Sequence, residues 1–147
     1  MKIIVDTNIV FSILVNTQSR LADLLFNSGD TFTFYSCHLL REEIERHFDR
    51  LIQISGLTSE QLREAQFHVY SALQFISEEQ FPYAIWQASI PLVREVDMDD
   101  VAFVALTKYL DGHLWTGDKK LINALRQKGY DRLLTTQDLV KIREQEN

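Results

Sequence analysis

Six acidic side chains stand out by their positions. Asp6 closes a short apolar run at the start of the chain, Asp118 follows a later run by two residues, and Glu43 and the cluster Asp97, Asp99 and Asp100 lie between them. Carboxylates gathered in a partly buried pocket repel one another and take up protons unless a cation neutralises them. Hard oxygen ligands suit Mg²⁺ or Mn²⁺, which keep part of their water and bind phosphate oxygens. Ions held this way turn water into a nucleophile near neutral pH and clamp both oxygens of an in-line displacement, so the chemistry expected is phosphodiester hydrolysis. The formal net charge of −6 disfavours a purely electrostatic nucleic-acid binder, because contact with phosphate normally draws on a basic surface; if the partner is nucleic acid, metal must supply the positive charge.

These residues can meet only if the elements carrying them fold correctly. Ile3-Ile4-Val5 is a continuous apolar run, the mark of a strand buried on both faces, and predicts a strand over 2–5 that ends at Asp6. Helices are expected over 7–15 and 19–27, the second stopped at Gly29, and then a strand over 31–35. From Ser36, read as an N-cap, to about Leu51, residues Leu40, Ile44, Phe48 and Leu51 share one helical stripe. Glu43 borders that stripe, whereas Glu42 and Glu45 point away from it, which selects Glu43 as the glutamate able to face inward.

Farther on, Thr58 and Gln61 have capping-box spacing ahead of a helix over 59–76, and a short helix runs from Pro82 toward Val93, its end disturbed by Pro91. Val101 to Leu106 is apolar nearly all round and reads as a buried helix, with Asp97, Asp99 and Asp100 at its mouth, where the macrodipole favours an ionised carboxylate. A strand over 113–116, a turn at Gly117-Asp118, a helix over 119–128, a strand over 133–135 and a C-terminal helix complete the chain. Alternating strands and helices imply one α/β domain over 1–147 with a parallel sheet covered on both faces. Ligands of such sheets bind beyond the carboxyl ends of the strands, where Asp6 and Asp118 stand.

Four segments in order, Asp6-Thr7-Asn8, Leu40-Arg41-Glu42-Glu43-Ile44, Asp97-Met98-Asp99-Asp100 with the apolar residues that follow, and Trp115-Thr116-Gly117-Asp118-Lys119-Lys120, resemble the successive motifs of PIN domains. The resemblance runs from residue 2 to about residue 125. It implies a three-layer α/β/α sandwich with a mostly parallel sheet and a Mg²⁺- or Mn²⁺-dependent endoribonuclease. Many relatives are the toxin of a toxin-antitoxin pair or form homodimers, so RNA, an antitoxin and a second copy are the partners implied. Carried over by motif, the acidic quartet is Asp6, Glu43, Asp100 and Asp118, with metal on Asp6, Asp100 and Asp118. Asn8 and Thr116 would be supporting polar groups, and Asp97 and Asp99 stand beside Asp100 as alternatives to it.

Each acid also has an ordinary explanation. Asp6, Asp118 and one of Asp99 and Asp100 could simply cap helices, and Glu43 could be a solvated helical residue. It is their joint, ordered occurrence that favours a site. Lys119 and Lys120 are the residues that could hold RNA phosphates beside Asp118. His47 shares a face with Glu43, but no second histidine completes a zinc pattern. Two other functions fit less well: a catalytically silent PIN-like interaction module, and a phosphoryl-accepting receiver, which would need an acidic pair where Asp6 is followed by Thr7-Asn8. A single cysteine, Cys37, and no apolar stretch of membrane-spanning length lead us to expect a cytoplasmic protein.

Overall fold

The computed structural model describes residues 1–146. Ile3, Ile4 and Val5 have no solvent exposure, because β1 (Lys2–Val5) lies in the middle of a sheet. Among the described residues that sheet has five strands, β1 with β2 (Thr33–Cys37), β3 (Gln74–Ile76), β4 (His113–Trp115) and β5 (Leu133–Leu134), in the order β3-β2-β1-β4-β5 and parallel at each pairing. From β1 the chain steps outward to β2 and β3, then crosses back to β4 and β5 on the other side. The direction of winding therefore reverses at β1 and β4, and the loops leaving these two strands diverge to opposite faces and open a crevice. Receivers have the order 2-1-3-4-5, so the sheet separates this fold from theirs.

Helices cover both faces. On one lie α1 (Thr7–Val15), α2 (Arg20–Asn27), α3 (His38–Arg46), α4 (Phe48–Ser55) and α5 (Ser59–Ser71), with α1 in contact with each of the other four. On the other, α7 (Val101–Leu110) crosses β1, β2 and β4, with α6 (Tyr83–Val93) against it and α8 (Lys119–Gln127) against α6. The C-terminal α9 (Thr136–Glu146) packs on α2 and β5. The buried run Ala102 to Thr107 explains why α7 is apolar all round. No single helix among the described residues is long and apolar enough to cross a membrane.

The architecture is the expected α/β/α sandwich, with four local departures. β2 begins and ends two residues later than expected, and Ser36 is inside it: its hydroxyl donates to the Val5 carbonyl at 3.0 Å instead of capping a helix. The following helix opens at His38, whose N–H donates at 2.7 Å to Glu78, a carboxylate from far along the chain. That helix is also two helices, broken at His47, where neither Gly nor Pro marks the turn; the break lets α4 lie along α1. Finally, the helix expected over 59–76 stops at Ser71 and residues 74–76 pair with Tyr35, Ser36 and Cys37, a case of long-range strand pairing overriding a local helical pattern.

β4 can lie against β1 only because a glycine precedes it. A Cβ at Gly112 would sit 2.7 Å from Ile4 Cδ1 and 2.8 Å from the Lys2 carbonyl oxygen, and the second neighbour is backbone that cannot turn aside. Gly112→Ala should therefore lower stability by about 1–3 kcal/mol, the usual cost of forcing one extra carbon into a packed interior. Urea denaturation of the metal-free protein measures it, and an unchanged midpoint would mean that the two strands have room to separate.

Candidate active site

The β1–β4 register pairs Val5 with Trp115, so the next residues on the two strands, Asp6 and Thr116, emerge side by side at the carboxyl edge. Asp6 is buried at 4% exposure and its carboxylate is held by three donors: Oδ1 accepts from the Thr7 N–H at 2.7 Å, and Oδ2 from the Thr116 hydroxyl at 2.8 Å and the Asn8 amide at 3.1 Å. Asn8 spans the gap, since its amide also donates to Thr116 Oγ1 and its Oδ1 accepts from the Gly117 N–H at 3.0 Å. Thr116 Oγ1 in turn accepts from the Asp118 N–H at 3.1 Å, which draws the start of α8 into the same network. Asn8 and Thr116 are thus the supports that hold Asp6 and Asp118 in place.

Glu43 arrives from the opposite side on α3. It is half-buried, and its Oε1 accepts from the Thr7 hydroxyl at 3.0 Å. Thr7 was not singled out in the sequence, although its place between Asp6 and Asn8, one helical turn before Phe11, put it on the facing side of α1. Asp100 stands at the start of α7 without capping it, and its Oδ2 is buried with no hydrogen-bond partner among the described residues. Asp97 and Asp99 are both exposed, and Asp97 caps the short turn before α7 by accepting from the Asp99 N–H at 2.9 Å. Of the three, Asp100 is the one that enters the pocket. The capping explanation also holds for two members of the quartet, because Asp6 accepts from Thr7 N–H and Asp118 from Leu121 N–H at 3.2 Å.

The electrostatics record the convergence. Burial pushes Asp6 up to about 6, against the lowering effect of its hydrogen bonds and with Asp118 adding to the rise. Asp100 is pushed up to about 8, first by burial and then by the charges of Asp6, Asp97, Asp118 and Glu43. Glu43 is raised by burial, with Asp6 and Asp99 contributing and the Thr7 hydroxyl opposing. Asp6, Glu43 and Asp100 line one cavity of about 270 Å³ with Thr7, Asn8, Phe11, His47 and Arg50, while Asp118 lines the adjoining hollow with Asn8 and Gly117. Lys119 and Lys120 are exposed in the first turn of α8, on the Asp118 side, and line neither space.

The profile of the PIN domain family matches residues 4–138. The chain belongs to the PIN domain family. A search of curated protein sequences finds no match. Among solved structures, this PIN domain is similar to a chain of VapBC2 from Rickettsia felis, seen in a crystal structure bound to a DNA fragment from their promoter; the TM-score is 0.66 at 13% identity, over 92% of this chain and 97% of that one. At such low identity the likeness speaks to the fold, and it agrees with the sheet order found here.

As its side chains stand, no three His, Cys, Asp or Glu groups among the described residues form a metal cage. Mg²⁺ does not need one, since it is usually held by one or two carboxylates with water filling its shell. The donors present are hard oxygens, and the orphaned Asp100 Oδ2 is the atom such an ion would satisfy. An ion there would draw on the oxygens of Asp100 and its acidic neighbours.

Without metal, the acids weigh on stability in a pH-dependent way. In the folded chain Asp6 and Asp100 bind protons more tightly than when unfolded, so stability falls as pH rises from the ordinary carboxylate value of 3.8, through about 6 for Asp6 and about 8 for Asp100. Asp100→Asn, which breaks no capping bond, should raise the melting temperature in EDTA at pH 9 and leave it nearly unchanged at pH 4. Calorimetric scans across that range check it; an equal shift at both ends would show that charge is not the cause.

Proposed function

We propose that this PIN domain is a metal-dependent endoribonuclease that hydrolyses RNA phosphodiester bonds at the pocket between β1 and β4. The observation that carries the reading is that Asp6, Glu43 and Asp100 line one cavity with Asp118 in the adjoining hollow, and that a buried Asp100 oxygen there has no partner among the described residues. A structural role for Asp100 would have given that oxygen a donor. A silent interaction module has no use for carboxylates forced together against their repulsion.

In this reading Asp6, Asp100 and Asp118 hold Mg²⁺ or Mn²⁺. A bound ion would supply positive charge against the phosphate oxygens and a water acidic enough to attack near neutral pH. The chain's own groups do the rest. Thr116 and Asn8 fix the rotamer of Asp6, so its oxygens need no rearrangement when substrate arrives. Glu43, steered by the Thr7 hydroxyl and raised by burial, is suited to take a proton from the attacking water. Lys119 and Lys120, exposed on the Asp118 side, would meet phosphates of the strand beyond Asp118.

We further propose that the nuclease works in the cytoplasm, and that it is the toxin of a pair restrained by an antitoxin protein, with a homodimer as its own assembly. The support is the family and its fold likeness to a VapBC2 chain. The lone Cys37 is no obstacle in a reducing compartment: it is buried and its thiol is pushed up to about 12, which makes it inert.

Cleavage of a mixed single-stranded RNA pool in Mn²⁺ tests the central claim. Asp6→Asn and Asp118→Asn, which keep a capping side chain, should each lose about 100-fold or more in rate, and Thr116→Val about 10-fold, since it removes only a support. Mn²⁺ should also raise the melting temperature of the native chain and not that of Asp100→Asn. Wild-type rates in Asp6→Asn would refute the assignment.

A further inference from the structure

The cavity that holds Asp6, Glu43 and Asp100 has a second wall of different chemistry, made by Phe11, His47 and Arg50. Glu43, His47 and Arg50 follow one another by four and then three residues, so the stretch turns one side toward α1 despite the break at His47. On α1, Thr7 and Phe11 are one turn apart and face the same space. The Arg50 guanidinium carbon lies 5.7 Å from the Phe11 ring centroid, and the exposed His47 ring meets Phe11 edge-on at 6.4 Å.

What singles out Arg50 is its place on the wall of this cavity, which no other arginine lines. Arg63, Arg132 and Arg143 are each tied to a carboxylate within 3 Å. Among the described residues Arg50 enters no salt bridge, although Glu43 and Asp6 line the same cavity. An exposed guanidinium rested against an aromatic ring, with its fork of N–H donors free, has the form of a phosphate receptor. On a chain of net charge −6 it gives the cavity wall a cation.

We propose that Arg50 holds the phosphate of single-stranded RNA adjacent to the one cleaved, with Phe11 as a positioning residue and the His47 ring as the surface against which the flanking base lies. The inference rests on the ribonuclease reading above. Single strands are specified because an exposed ring can stack only a base that has left its own helix.

The test is binding of a fluorescent single-stranded RNA oligomer in EDTA, by anisotropy over a range of salt, joined to cleavage kinetics in Mn²⁺. Loss of one phosphate contact should reduce the slope of log affinity against log salt by about 0.7 in Arg50→Gln. Arg50→Lys should restore the slope, because it returns the charge, and Lys141→Gln, far along α9, should leave it as in the native chain. In Mn²⁺, Arg50→Gln should raise KM by about tenfold and hold kcat within about twofold, the pattern of a lost binding contact. Phe11→Leu should raise KM in the same direction and Phe11→Tyr should keep it low.

A native chain that cleaves RNA while Arg50→Gln matches it in slope and KM overturns the subsite and leaves the nuclease intact. A slope that falls in Arg50→Gln, in a native chain that cleaves nothing with any divalent ion, supports the phosphate contact and removes the catalytic reading. Absence of RNA binding by the native chain overturns the subsite.

Discussion

The in-register pairing of β1 with β4 is the constraint from which the site follows. It sets Asp6 beside Thr116, and the hydroxyl between them bonds both Asp6 and the backbone of Asp118. Because the winding of the chain reverses between these two strands, the helices that follow them leave toward opposite faces and the edge stays open. Loosening that pairing would disperse the acids and the polar residues that hold them. Gly112, just before β4, and Lys2 on β1 show how little clearance the pairing has.

Hydrogen bonding and charge pull in opposite directions here. Asp6 has three donors and is still raised by its burial, whereas the buried Asp100 Oδ2 has none among the described residues and Asp100 is raised further, by burial and then by its acidic neighbours. The cost is local and the fold bears it through the apolar layers around it, in which Trp115, Phe103, Ile3, Ile4 and Val5 are buried almost completely. A cluster of acids that is stabilised by its scaffold and unfavourable in itself is the arrangement expected of a functional site, where perturbed groups gather.

Much of this could be read in the sequence. Ile3-Ile4-Val5 located the central strand, the apolar run after Asp100 located the buried helix, and the ordered acids located the pocket. Helical spacing alone picked Glu43 over its neighbours, and the Thr7 bond agrees with that choice. What escaped was whatever depends on distant contacts. β3 looks helical until β2 is beside it, the start of α3 is capped by Glu78 from beyond β3, and the break at His47 has no Gly or Pro to announce it. The third acid was open among Asp97, Asp99 and Asp100 because burial distinguishes them, and burial is a property of the assembled chain.

Two of the acids carry a double burden, since Asp6 and Asp118 each hold the first turn of a helix as well as a place in the pocket. A relative without catalytic activity would still need an oxygen at both positions to keep those helices anchored. Their presence is therefore a poor sign of an active protein when sequences of this kind are compared. Asp100 has no such second employment, and where the chemistry lapses it is the residue free to drift.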